Sequence, residues 1–78
     1  MTRSGFLRAI EEILELPART VRDADSRETI SNWTSLKDVQ IFSLITSEFG
    51  IEPDDAMIEA ETVGDFVTVL QRKGAFRE

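Results

Sequence analysis

The side chains that most often carry out chemistry in proteins are scarce in this chain. It has no histidine and no cysteine, so it lacks the usual general base near neutral pH, the commonest metal ligand and a thiolate nucleophile. Asp23-Ala24-Asp25 and Asp54-Asp55 lack the glycine and the spaced oxygen ligands of a calcium loop. We therefore expect no catalysis and no metal site from this chain alone. Its carboxylates should be exposed, because charged residues are rarely buried without a partner.

Ser35 is the strongest remaining site candidate. Its hydroxyl lies in the run Trp33-Thr34-Ser35-Leu36, where a polar segment ends and an apolar helical pattern begins. A serine at the start of a helix is most often an N-cap, whose side-chain oxygen accepts a backbone N–H of the first turn. Position alone therefore favours a capping role, and a functional role has to be argued from the surrounding residues.

The spacing of apolar residues predicts an all-α domain spanning residues 1–78, with no strand. Four helices are expected over residues 4–16, 35–49, 54–60 and 62–73, forming a four-helix bundle with a short third helix. On the first helix, Arg8, Glu11, Glu12 and Glu15 fall largely on the polar face. Pro17 should stop that helix, and Gly50 should cap the second. Thr62 and Asp65 resemble a capping box at the start of the fourth. The expected core includes Phe42, Ile45, Val63, Phe66 and Val67.

The connection between the first two helices is unusually long. Residues 17–34 are dominated by Arg, Asp, Ser and Thr, and their main apolar residues are Val21, Ile30 and Trp33. Loops of this length in small domains are uncommon and often functional. We expect the three apolar side chains to pin the loop to the core.

The charge is concentrated in the middle of the chain. The whole chain carries 15 acidic and 9 basic residues, a net charge of −6, which disfavours binding to nucleic acid. Residues 31–64 hold one lysine against seven carboxylates, so this segment supplies the excess. No apolar stretch reaches the length of a membrane span or a secretory core. A cytoplasmic monomer that does not bind membranes is therefore expected.

Three motifs together resemble the acyl carrier proteins. They are the run Trp33 to Ile41 (WTSLKDVQI), the helix end Glu48-Phe49-Gly50-Ile51, and the segment Thr62 to Val67 (TVGDFV). Family members carry Asp-Ser-Leu at the start of their second helix, and many bacterial members read Trp-Asp-Ser-Leu there. The resemblance covers about residues 6–70, with the same order of helix lengths.

The resemblance implies a carrier rather than an enzyme. Ser35 would be the attachment point of 4′-phosphopantetheine, transferred from coenzyme A by a phosphopantetheinyl transferase. The thiol of that arm would hold an acyl or aminoacyl group as a thioester for the enzymes that load and use it, in fatty-acid, polyketide or other secondary metabolism. Leu36, Val39 and Gln40 match positions where the family docks enzymes. The acidic third-helix region, with Asp54 and Asp55, should attract basic partners.

Two departures from the family pattern leave alternatives open. Thr34 replaces the aspartate that normally precedes the modified serine and helps the transferase to recognise it. Gln40 stands where an acid is common, and Lys37 adds a positive charge. A non-carrier helical interaction module that retains the carrier fold is therefore the alternative function. For Leu36 and Val39, ordinary core packing is the alternative to docking.

Overall fold

A computed structural model describes residues 1–77 of the chain. These residues form four helices: α1 (Arg3–Leu14), α2 (Ser35–Phe49), α3 (Asp55–Ile58) and α4 (Val63–Arg72). They contain no strand, only an isolated antiparallel bridge between Ser26 and Thr62. The predicted all-α class is confirmed, and the predicted helix ends differ from the observed ones by at most two residues. Within this described part, no helix is long and apolar enough to cross a membrane.

The core is built from one apolar stripe on each helix together with two loop residues. Its fully or almost fully buried large side chains are Phe6, Ile10, Leu14, Ile30, Trp33, Ile41, Ile45, Met57, Val63, Phe66, Val67 and Leu70. The predicted core residues are thus confirmed, except that Phe42 is only half-buried. Ile30 and Trp33 are the loop residues, and Val21 packs half-buried against the same cluster. The expectation that these three pin the loop is confirmed.

Residues next to the helix ends determine where α1 and α2 stop and where α4 begins. α1 ends at Leu14 rather than at residue 16, and Glu15 adopts the left-handed conformation with φ 59°. Because Leu16 precedes Pro17 and is therefore disfavoured in helical geometry, the chain leaves the helix earlier than predicted. Gly50 caps α2 with φ 66°. At the start of α4, the predicted capping box of Thr62 and Asp65 is present.

Glu11 is the largest departure from the predicted polar surface. Its side chain is buried, with 2% of its surface exposed. Its Oε2 accepts hydrogen bonds from the backbone N–H groups of Thr20 (2.8 Å) and Val21 (2.9 Å). Arg8 Nε lies 2.8 Å from Oε1. The expectation of an exposed Glu11 is wrong because the loop folds back over α1 and uses this carboxylate to satisfy its own N–H groups.

The rest of the long loop is attached to the first and last helices. Asn32 Nδ2 donates to the carbonyl of Leu14 at 3.1 Å. The first N–H groups of α4 donate to loop carbonyls, Val63 to Asp25 (3.0 Å) and Gly64 to Asp23 (2.9 Å). A Cβ at Gly64 would lie 3.1 Å from the carbonyl oxygen of Asp23. Glycine at this position therefore permits the close approach of loop and helix.

The burial of Glu11 makes the stability of the fold depend on pH. Burial alone would raise the pKa of the Glu11 carboxyl, but hydrogen bonds from the backbone N–H groups of residues 19–21, led by Val21, outweigh it. The pKa therefore lies below its usual value of 4.5. We expect Glu11→Gln to lower the free energy of unfolding by about 2 kcal/mol at neutral pH, because hydrogen bonds to a charged carboxylate are replaced by weaker bonds to a neutral amide oxygen.

The sign of the pH effect follows from the lowered pKa. The Glu11 charge makes its full contribution to the free energy of unfolding at pH values above the usual carboxyl pKa. That contribution is lost as the pH falls through the lowered pKa of the folded state. Urea titrations across this range should show the difference between wild type and Glu11→Gln shrinking towards zero in acid. Glu12→Gln, at the exposed neighbouring position, is the matched control and should stay within about 0.5 kcal/mol of wild type. A constant difference at every pH would contradict this role of the charge.

Candidate functional site

Ser35 is the first residue of α2 and is exposed to solvent. The residue in the N-cap position is Thr34, with φ −100° and ψ 178°, and its side chain makes no capping hydrogen bond. The first helical hydrogen bond of α2 joins Asp38 N to the carbonyl of Thr34 at 3.1 Å. The capping interpretation of Ser35 is therefore wrong. Its hydroxyl has no hydrogen-bond partner among the described residues and stands at the helix end where N–H groups lack intrahelical acceptors.

A three-residue cluster fixes the chain just before Ser35. Asp38 Oδ1 accepts from Trp33 Nε1 and from Arg27 Nη2, both at 2.7 Å, and Arg27 Nε donates to Oδ2 at 3.0 Å. The Arg27 guanidinium carbon also lies 5.3 Å from the centroid of the Trp33 ring. We call Arg27, Trp33 and Asp38 the loop clamp. It ties the middle and the end of the long loop to the first turn of α2.

Trp33 connects the loop clamp to the core. Its ring stacks on the ring of Phe66, with the two centroids 6.3 Å apart. The ring of Phe42 packs edge-on against the same Phe66 ring, with centroids 5.9 Å apart. Only 3% of the Trp33 surface is exposed. Because Trp33 is held on its ring face by Phe66 and at its N–H by Asp38, the position of Ser35 two residues later is strongly restricted.

The predicted docking residues of α2 face solvent. Leu36 is 63% exposed and Val39 59% exposed, and Gln40 is exposed as well. Core packing as the explanation for Leu36 and Val39 is therefore wrong. Ile58 of α3, at 61% exposure, is a third large exposed apolar residue. Sequence reasoning missed it because a one-turn helix shows too little periodicity to separate an inner from an outer face.

The two predicted docking acids of the third-helix region differ in their surroundings. Asp54 is the N-cap of α3, and its Oδ1 accepts from Met57 N at 3.0 Å. Its Oδ2 lies 2.6 Å from Lys73 Nζ. The hydrogen bond from Lys73, followed by that from Met57, holds the pKa of Asp54 below its usual value. Both carboxylate oxygens of Asp54 thus already have partners within the fold. Asp55, in contrast, is exposed in the first turn of α3.

The two charged residues that follow Ser35 most closely in sequence, Lys37 and Asp38, are paired within the molecule. Asp38 is occupied by Arg27 and Trp33, as described above, and Lys37 Nζ lies 3.4 Å from Glu15 Oε2. Sequence reasoning identified Asp38 and Lys37 as charges on the helix, but it missed Arg27. The position of Asp38 in the first turn of α2 was visible in the sequence. Its partner Arg27 lies 11 positions earlier in an irregular loop, and no local sequence pattern predicts such a contact.

Comparisons with models of known protein families and with curated proteins find no match for this chain. Function therefore has to be inferred from Ser35 and from the surfaces around it.

The loop clamp makes a testable contribution to stability and to the surroundings of Trp33. Asp38→Ala removes the acceptor for Arg27 and Trp33, so we expect a loss of about 2 kcal/mol in the free energy of unfolding. Trp33 is the only tryptophan, so its fluorescence emission should shift to longer wavelength as its N–H becomes hydrated. Glu48→Ala, at an exposed position on the same helix, should change neither measurement. Unchanged emission in Asp38→Ala would contradict the loop clamp.

Proposed function

We propose that this protein is a stand-alone acyl carrier protein. It would hold acyl or aminoacyl groups as thioesters on a 4′-phosphopantetheine arm attached to Ser35 and present them to partner enzymes. The observation that carries the proposal is the exposed hydroxyl of Ser35 at the first position of a 15-residue helix, where it has no hydrogen-bond partner among residues 1–77. Four helices with a long first connection and a short third helix are also the arrangement expected of an acyl-carrier bundle.

The residues around Ser35 fit an attached phosphate. The first intrahelical hydrogen bond of α2 is donated by Asp38, so the N–H groups of residues 35–37 have no acceptor within the helix. These groups and the positive end of the helix dipole stabilise an anion at this position. The arm itself would supply the thiol that this cysteine-free chain lacks. The loop clamp would hold the attachment point in a defined place while partner enzymes carry out the chemistry.

A different observation supports the alternative function, a protein-interaction module in which Ser35 stays unmodified. Leu36 and Val39 expose large apolar surfaces on α2, and such surfaces can bind a partner whether or not Ser35 is modified. Thr34 in place of the family's aspartate also favours this alternative. The two functions are distinguished by whether Ser35 accepts the arm.

Intact mass measurement tests the carrier proposal. The protein should be incubated with coenzyme A and a phosphopantetheinyl transferase of broad specificity. We expect the mass of one phosphopantetheine group to be added to wild type and to Ser43→Ala, which removes another exposed hydroxyl of α2. Ser35→Ala should gain nothing, because the acceptor oxygen is absent.

Two results would contradict the carrier function. In the first, the wild-type protein gains no mass. In the second, the Ser35→Ala variant gains as much mass as wild type. A partner that is captured equally well by wild type and by Ser35→Ala would then favour the interaction module.

A further inference from the structure

Ser35 and Asp38 belong to the first turn of α2, three positions apart. Residues with this spacing share one face of a helix, with their Cβ atoms about 5–6 Å apart. A phosphate attached to Ser35 would therefore stand close to the carboxylate of Asp38. Because two like charges at this separation repel each other, the anion that the carrier function requires needs a cation beside it.

Arg27 is a cation held at this face of α2. Its Nη2 donates to Asp38 Oδ1 at 2.7 Å, and its Nε donates to Oδ2 at 3.0 Å. Lys37 is less suited to the same task, because residues two positions apart on a helix do not face each other. Its Nζ also lies 3.4 Å from Glu15 Oε2. A phosphate on Ser35 would therefore meet Arg27 rather than Lys37.

The guanidinium of Arg27 still has donors to offer. A guanidinium carries N–H groups on several edges and can contact two acceptors at once. In Arg27 the edge formed by Nε and Nη2 faces Asp38, whereas Nη1 has no hydrogen-bond partner among residues 1–77. The Arg27 side chain is 36% exposed, so an anion at the surface can reach it.

The loop clamp fixes the orientation of this guanidinium in advance. Asp38 holds one edge of it, and its central carbon lies 5.3 Å from the centroid of the Trp33 ring. A donor that is already held in place loses little conformational freedom when it binds. Arg27 is thus prepared for a second acceptor on the Ser35 side of the clamp.

We propose that Arg27 bridges Asp38 and the phosphate of the arm on Ser35. Its Nε and Nη2 stay on the carboxylate, and Nη1 donates to a phosphate oxygen that carries negative charge. Arginine forms strong, charge-assisted hydrogen bonds with phosphate. This inference rests on the proposed carrier function. It gives the long loop a second role, because the residue that helps to hold the chain before Ser35 also binds the arm.

The change in melting temperature on loading tests the bridge. Each protein is loaded from coenzyme A by a transferase of broad specificity, and intact mass confirms the product. Loading should raise the melting temperature of wild type by about 4 °C or more, because it adds a charge-assisted hydrogen bond between loop and helix. In Arg27→Gln, less than about half of that rise should remain.

Arg22→Gln is the matched control. Arg22 is an exposed arginine of the same loop, so the substitution makes the same change of net charge, and loading should raise its melting temperature as much as that of wild type. Each loaded form is compared with its own unloaded form. The stability that Arg27→Gln loses with the loop clamp is therefore common to both forms and cancels.

Nitrogen NMR of the arginine side chains measures the contact directly in wild type. The guanidinium resonances of Arg27 should move on loading, because Nη1 gains an acceptor, while those of Arg22 should stay in place. This measurement needs no variant, so it decides the question even if Arg27→Gln folds poorly or is loaded slowly.

The results that would overturn the bridge can be told apart from failure of the carrier function. Equal rises of melting temperature in wild type and Arg27→Gln would show that the end of α2 holds the phosphate without Arg27. Arg27 resonances that do not move on loading would show the same. In both cases the added mass would leave the carrier function standing. If wild type gains no mass at Ser35, the carrier function fails and the bridge fails with it.

Discussion

The course of the long first connection depends on the buried carboxylate of Glu11. A segment of this length without helix or strand must find partners for its own backbone N–H groups, and a buried charge must find donors. Glu11 and the N–H groups of Thr20 and Val21 meet both requirements at once. Because the loop is anchored there soon after it leaves α1, the remainder is directed across the helices rather than into solvent.

The anchored loop in turn restricts the site. Carbonyls in its middle section accept from the first N–H groups of α4. Arg27, also in the middle, and Trp33, at the end, form the loop clamp with Asp38. The chain therefore reaches α2 in a defined direction and leaves Ser35 exposed at the first helical position. The same pairing occupies the carboxylate of Asp38. The adjoining residues 39–47 of α2 contain no charged side chain.

Patterns that repeat within one helix were predictable from sequence, whereas contacts across the loop were not. Apolar spacing was enough to place four helices, and Gly50 and Thr62 marked two of their ends because capping depends on neighbouring residues. The motif around Ser35 was visible for the same reason. The buried state of Glu11 and the pairing of Arg27 with Asp38 depend on where an irregular segment turns. No periodic pattern in the sequence indicates that path. Glu11 was therefore expected at the surface, and the role of Arg27 went unnoticed.

Residue-resolved hydrogen exchange tests most directly whether the loop is a fixed part of the structure. If Glu11 anchors it, the amides of Thr20 and Val21 should be protected in wild type to an extent comparable with amides in the middle of α1. Their protection should fall in Glu11→Gln while that of Glu12→Gln stays at the wild-type level. Exchange of these two amides at the rate of an unstructured peptide in the wild-type protein would contradict the account.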